Sequence, residues 1–131
     1  MAKVNIKAVF DCDVQKIWNV VTSLNDYEWR SDLSRIEIVS DSQFVEYTKD
    51  NYPTTFNITK TNPYKEWEFD MDNSNMHGHW TGIFTEVNGK TEIDFTEEVF
   101  TKKLIMRPFV KAYLKKQQMQ YIMDLKKAVE K

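Results

Sequence analysis

The residues that could carry chemistry are few and scattered. Glu97 falls on the same side of an alternating stretch as Ile93, Phe95 and Val99, so the face that buries Phe95 also bears a carboxylate. A carboxyl held in apolar surroundings keeps its proton to higher pH and can serve as a general acid or base. Two readings of Glu97 stay open: that role, or a solvated carboxylate near the strand end paired with a lysine. Glu46 shares a face with Phe44 and raises the same question, with Val45 and Tyr47 competing for the inside. Arg30 and Asp32 flank Ser31; they could hold an anionic head group or pair with each other at the surface.

Other candidates are weaker. His77 and His79 lie on one face of a strand, but zinc needs three or four protein ligands and nothing nearby in the chain completes the set. No metal and no cofactor are expected. Cys12, the single cysteine, sits near a helix start where a thiol pKa can fall, yet no neighbouring histidine supports a nucleophile; packing is the expected role. Tyr113, Gln117 and Tyr121 recur on one long helical stretch and could present polar groups inward. Gln117 interrupts the apolar stripe between Leu114 and Tyr121, and burying its amide unpaired would cost roughly 1–3 kcal/mol, so water or a ligand would have to meet it.

The elements that position these groups are legible from periodicity. Val4, Ile6, Ala8 and Phe10 alternate with Lys3, Asn5 and Lys7, as in a half-buried strand. Asp11 or Asp13 can cap a short helix whose apolar face is Val14, Ile17, Trp18, Val21 and Leu24. Residues 27–32 read as a second short helical turn or a loop. From Ile36 the period changes to two: strands are predicted around Ile36–Ile38, Phe44–Lys49, Thr54–Thr61, Glu66–Asp72, 76–87 and Thr91–Phe100. Asn88-Gly89 joins the last two, both positions tolerating the positive φ of a type I′ turn. Short turns between successive strands imply antiparallel neighbours with one buried face.

Residues 106–129 read as one helix, with Pro108 in its first turn, where a missing N–H is harmless. Met106, Phe109, Val110, Tyr113, Leu114, Tyr121, Ile122, Leu125 and Val129 form its stripe. On the strand 76–87, burial of Trp80 and Phe84 outweighs burial of Ile83 with two histidines. Gly78 and Gly82 then lie on the inner side, where they leave room above the sheet or mark bends in it.

Composition narrows the function classes. At 131 residues the chain reads as one domain, 1–131, with enough length for a sizeable core. A net charge of −2 argues against a nucleic-acid surface, and no apolar run is long enough to span a bilayer. The N-terminus lacks an apolar signal region, so a soluble cytoplasmic protein, monomer or weak homodimer, is expected. Aromatic residues make up 14% of the chain, which suits a cavity wall as well as a solid core.

Val14-Gln15-Lys16-Ile17-Trp18 is similar to the Val-Trp helix start of the Bet v 1/START-like superfamily, the polyketide cyclase/dehydrase and lipid-transport family. Trp29-Arg30-Ser31-Asp32-Leu33 before the second strand, Pro63 between two strands and the Gly89-Lys90-Thr91 turn also resemble it. The resemblance, to a small bacterial-type member, implies an α+β helix-grip fold. In it a seven-stranded curved antiparallel sheet wraps a long C-terminal helix, with two short helices after the first strand and an apolar cavity between the layers.

The expected function is binding of a hydrophobic or amphipathic small molecule of lipid or polyketide/aromatic type. Apolar contacts would come from Phe56, Trp67, Phe69, Trp80, Phe84, Phe95, Phe109 and Tyr113, and orientation from Glu97, Gln117 and Tyr121. Two alternatives stay open: a cyclase or dehydratase using a cavity carboxylate or tyrosine, and an interaction module whose cavity is filled by side chains. Fold by itself does not choose among them.

Overall fold

The computed structural model describes residues 1–130. Strand β1 (Ala2–Phe10) and helix α1 (Val14–Thr22) are followed by β2 (Leu33–Ile38), β3 (Gln43–Thr48), β4 (Pro53–Asn62), β5 (Glu66–Asp72), β6 (Met76–Val87) and β7 (Lys90–Thr101). A 3-10 turn, Leu104–Met106, leads into helix α2 (Arg107–Val129). The strands form one antiparallel sheet in the order β1-β7-β6-β5-β4-β3-β2. The meander from β2 to β7 follows from the short turns; β1 closes onto β7, pairing Phe10 with Thr91 and Ala2 with Val99.

Local chemistry explains the boundaries. Asp13 caps α1 by accepting from the Lys16 N–H at 2.9 Å, and Glu86 accepts from the Val14 N–H at 2.8 Å. Asn88 and Gly89 have φ of 54° and 79°, as the hairpin between β6 and β7 requires. Pro108 lies in the first turn of α2. One element departs from expectation: α1 is the only helix between β1 and β2. The segment 27–32 consists of turns, with the Arg30 N–H donating to the Tyr27 carbonyl at 3.0 Å. Arg30 and Asp32 are fixed there by side-chain bonds instead of a helical ladder.

Helix α2 packs chiefly on β1 and α1 and more lightly on β7. Val110, Leu114, Leu125 and Val129 are its buried apolar residues. Its central amide is where expectation and structure part. Gln118, not Gln117, is buried, with Nε2 3.3 Å from the Phe95 carbonyl and 3.5 Å from the Val4 carbonyl. Gln117 is exposed and donates to the Tyr113 hydroxyl at 2.9 Å. The stripe shifts because α2 crosses β1 and β7, so the residue one step on from Gln117 meets carbonyls of both strands. Among the described residues no helix is long and apolar enough to cross a membrane.

Candidate functional site

The sheet's inner face carries a band of rings. Phe44 stacks on Phe56 with centroids 4.9 Å apart, Phe69 stacks on Trp80 at 4.8 Å, and Trp80 meets Phe95 at 4.8 Å. Trp67 closes edge-on against Phe69 at 5.2 Å. Ring faces and edges attract through their quadrupoles, so a paired array holds its shape without a filling layer above it. Helix α2 packs on β1 and β7 at one end of the sheet and stands off from the bowl of β3–β6. The result is a cavity of about 900 Å³.

Of the residues singled out by sequence, Phe56, Trp67, Phe69, Trp80, Phe95, Glu97 and Tyr121 line the interior of this cavity. Phe109, Tyr113 and Gln117 also border it, but all three are exposed, so they form its rim beside the start of α2. Phe84 is buried but does not reach the cavity; it packs edge-on to Trp18 at 5.0 Å and to Phe95 at 5.6 Å, filling the space under α1. Of the two readings left open for the glycines, room above the sheet and bends in it, the first is not met, because the protein's own atoms take up the space. A Cβ on Gly82 would lie 2.4 Å from Cη2 of Trp80, so the indole itself occupies that space; one on Gly78 would lie 2.4 Å from the Glu98 carbonyl oxygen.

A polar cluster interrupts the aromatic lining. Arg30 Nε and Nη2 each donate to Asp32 at 3.0 Å, and Nη1 lies 3.4 Å from Glu46 Oε2. The guanidinium sits 4.8 Å from the ring centroid of Tyr121 and 5.7 Å from that of Trp29. The Arg30–Asp32 pair therefore exists, but Arg30 is not at the surface: its side chain is 13% exposed and borders the cavity. The strands account for this. Glu46 pairs with Ile36 of β2 and Thr54 of β4, and all three residues face the cavity.

Glu97 pairs in register with Val4 and Trp80 and shares their face of the sheet. It has no hydrogen-bond partner among the described residues. Burial, then the negative field of Glu46, pushes its carboxyl up to about 7, with Arg30 opposing. Burial likewise raises Glu46, against the pull of Arg30. Burial raises the Tyr121 phenol, so its hydroxyl stays protonated throughout the physiological range. Burial would lower Arg30, but Glu46 and Asp32 outweigh it and the guanidinium stays charged. The cavity thus holds one fixed cation, two carboxylates that pair with it, and one carboxyl poised to gain or lose a proton near neutrality.

Three contributors are not among the residues predicted for the site. Asp124 of α2 accepts from Ser31 N at 2.9 Å and Ser31 Oγ at 2.8 Å, and from Gln120 Nε2 at 2.9 Å. Burial would raise its pKa, but these hydrogen bonds hold it below the usual range. Trp29 meets Tyr121 edge-on at 5.2 Å. Together with Gln118 they tie the 29–32 segment and β7 to one helix. An acid within an otherwise basic, apolar helix was the available signal for Asp124.

The remaining candidates sit elsewhere. His79 faces away from the cavity, with Nδ1 2.6 Å from Asp70 and Nε2 2.8 Å from Glu68. Burial would lower its pKa, but these two carboxylates raise it. His77 stacks on Phe100 at 5.2 Å. No group of three or more metal-ligating side chains is gathered among the described residues. Burial raises the Cys12 thiol, the opposite of an activated nucleophile, and its carbonyl accepts from Thr91 Oγ1 at 2.9 Å.

A curved sheet gripping a terminal helix around a ring-lined cavity defines a helix-grip domain. The chain belongs to the family described as polyketide cyclase / dehydrase and lipid transport, whose model matches residues 1–130. Solved structures share the fold. A START superfamily protein from Mycobacterium smegmatis is 12% identical, with 99% of this chain and 98% of that one covered and a TM-score of 0.88. The Zhui aromatase/cyclase from Streptomyces sp. R1128 is 10% identical, covering 98% and 93%, with a TM-score of 0.87. The di-domain ARO/CYC BexL of the BE-7585A biosynthetic pathway is 10% identical; it covers 99% of this chain and 47% of its own, with a TM-score of 0.83. No curated protein matches the sequence.

Proposed function

We propose that this protein binds a hydrophobic or amphipathic small molecule, of lipid or polyketide/aromatic type, in the cavity between the sheet and α2. The carrying observation is a space of about 900 Å³ lined by stacked aromatics with one confined polar cluster. That volume lies within the range of small-molecule sites, and an interior filled by its own side chains would not leave it. Apolar parts of the ligand lie against Phe56, Phe69, Trp80 and Phe95, and a polar end reaches Glu97 and the Arg30–Glu46 pair. Native mass spectrometry of the purified protein, with a thermal-shift screen of fatty acids, phospholipids and fused-ring aromatics, tests this. A co-purifying or stabilising ligand supports it; no stabilisation by any class sinks it.

A second reading rests on Glu97 alone. A carboxyl titrating near the operating pH, free of a protein partner and open to the cavity, suits general acid–base catalysis. On a poly-β-carbonyl substrate it would take a proton from a carbon flanked by carbonyls. The carbanion would add to a second carbonyl of the same substrate, the new alkoxide taking that proton back from Glu97. Glu97 would then remove the carbon's second proton and deliver it to the new hydroxyl, which departs as water as the C=C bond forms. The names of the two aromatase/cyclase neighbours are consistent with such chemistry. Turnover of a model polyketone by the wild type, abolished in Glu97→Gln with ligand affinity retained, would establish it; binding without turnover would leave the chain a carrier.

A further inference from the structure

Residues 99–123 contain six of the chain's eighteen bases and none of its twenty acids. The rest of the molecule carries twelve bases against twenty acids, so a net acidic protein has one strongly basic end. Lys102 is engaged, its Nζ 2.8 Å from Asp72 Oδ1 and 2.7 Å from the Asn73 carbonyl. Lys103, Arg107, Lys111, Lys115 and Lys116 are exposed and have no ion-pair partner among the described residues.

The same end bares its largest apolar side chains. Leu104 is 75% exposed, Ile105 81% and Phe109 69%. They occupy the 3-10 turn and the first turn of α2, ahead of Val110, the first buried residue of that helix. Three large apolar groups at a projecting corner, ringed by unpaired cations, match the composition of a membrane-interface anchor: rings and aliphatic chains enter the acyl boundary while bases meet phosphates. A folded partner with an acidic rim would need a groove for the corner. A bilayer needs only the corner's own shape. The position bears on function, because Ile105 and Phe109 also border the cavity.

We propose that the Leu104–Phe109 corner docks on an anionic lipid bilayer, with the cavity rim set against the membrane surface. A ligand could then pass between bilayer and cavity without crossing bulk water. The docking itself does not depend on what the cavity binds.

Vesicle flotation with the full chain tests it, using phosphatidylcholine vesicles with and without phosphatidylglycerol. The wild type is expected to float with the anionic vesicles, to stay behind with pure phosphatidylcholine, and to be released by added salt. Lys103→Gln, Arg107→Gln and Lys111→Gln should each weaken binding roughly fivefold. The triple variant Leu104→Ser/Ile105→Ser/Phe109→Ser should abolish flotation while keeping the wild-type melting temperature. Three results overturn the proposal: a wild type that does not float with anionic vesicles, flotation unaffected by these substitutions, or a corner whose loss only dissolves a homodimer in sedimentation analysis.

Discussion

Arg30 Nη1 stands 3.4 Å from Glu46 Oε2 inside the cavity, while the other edge of the guanidinium is bonded twice to Asp32. One cation thus serves two carboxylates from different elements. The 29–32 segment is anchored to β3 through Glu46 and to α2 through Asp124, so a stretch without regular structure forms a fixed part of the wall.

Removing that cation should be costly in a specific way. Arg30→Met leaves Glu46 buried beside Asp32 with no counter-charge and is expected to lower stability by about 3 kcal/mol. Adding Glu46→Gln should recover part of that loss. Because Arg30 opposes the upward shift of Glu97, its removal should also carry the Glu97 midpoint above about 7. Urea denaturation measures the first two effects and carboxyl carbon NMR the third. A Glu97 midpoint that does not move would show that the guanidinium and Glu97 are electrically independent.

Glu97 makes stability depend on pH with a definite sign. The native carboxyl keeps its proton to about 7, whereas the unfolded chain releases it near 4.5. Between those values the native state binds more protons than the unfolded one, so stability falls as pH rises through the window and levels off above it. Glu97→Gln removes this carboxyl's share of the slope. Its advantage over the wild type should be absent near pH 4 and reach about 1–3 kcal/mol near pH 8, measured by urea midpoints at both.

Much of the architecture was legible because its signals are local. Alternation between Val4 and Phe10, the Asn88-Gly89 turn and the i, i+3, i+4 stripe of α2 each fix an element without reference to the rest. Trp80 facing inward follows from counting apolar area on the two sides of β6. What could not be read depends on contacts distant in sequence. Whether Arg30 faces water or the cavity is decided by Glu46, and the buried amide of α2 by where the helix crosses β1 and β7. Phe84 faces inward as expected, yet α1 covers it, and no pattern within β6 specifies that.

The two adjacent glutamines of α2 give a direct comparison. Gln118→Ala removes the donor to the Phe95 and Val4 carbonyls and should cost about 1–3 kcal/mol. Gln117→Ala loses an exposed bond to Tyr113 and should stay within about 0.5 kcal/mol of the wild type. Thermal melts of the two variants suffice. Equal losses would mean that the helix is rotated from the orientation described.

Gly82 sets the position of Trp80. A methyl group there would lie 2.4 Å from Cη2 and 2.7 Å from Cζ3 of the indole, and 3.2 Å from Cδ1 of Phe95. Neither ring can yield freely, because Trp80 is stacked on Phe69 and Phe95 is fully buried. Gly82→Ala should therefore cost about 1–3 kcal/mol, with the indole pushed toward the cavity. The diagnostic is a double-mutant cycle. With Trp80→Phe in place, which keeps a ring but removes the overlapping atoms, Gly82→Ala should become nearly neutral, a coupling of about 1–2 kcal/mol. Additive losses would place the strain in the backbone of β6. In that case the missing side chain would serve the curvature of the sheet, and the indole would have found its place over the gap independently.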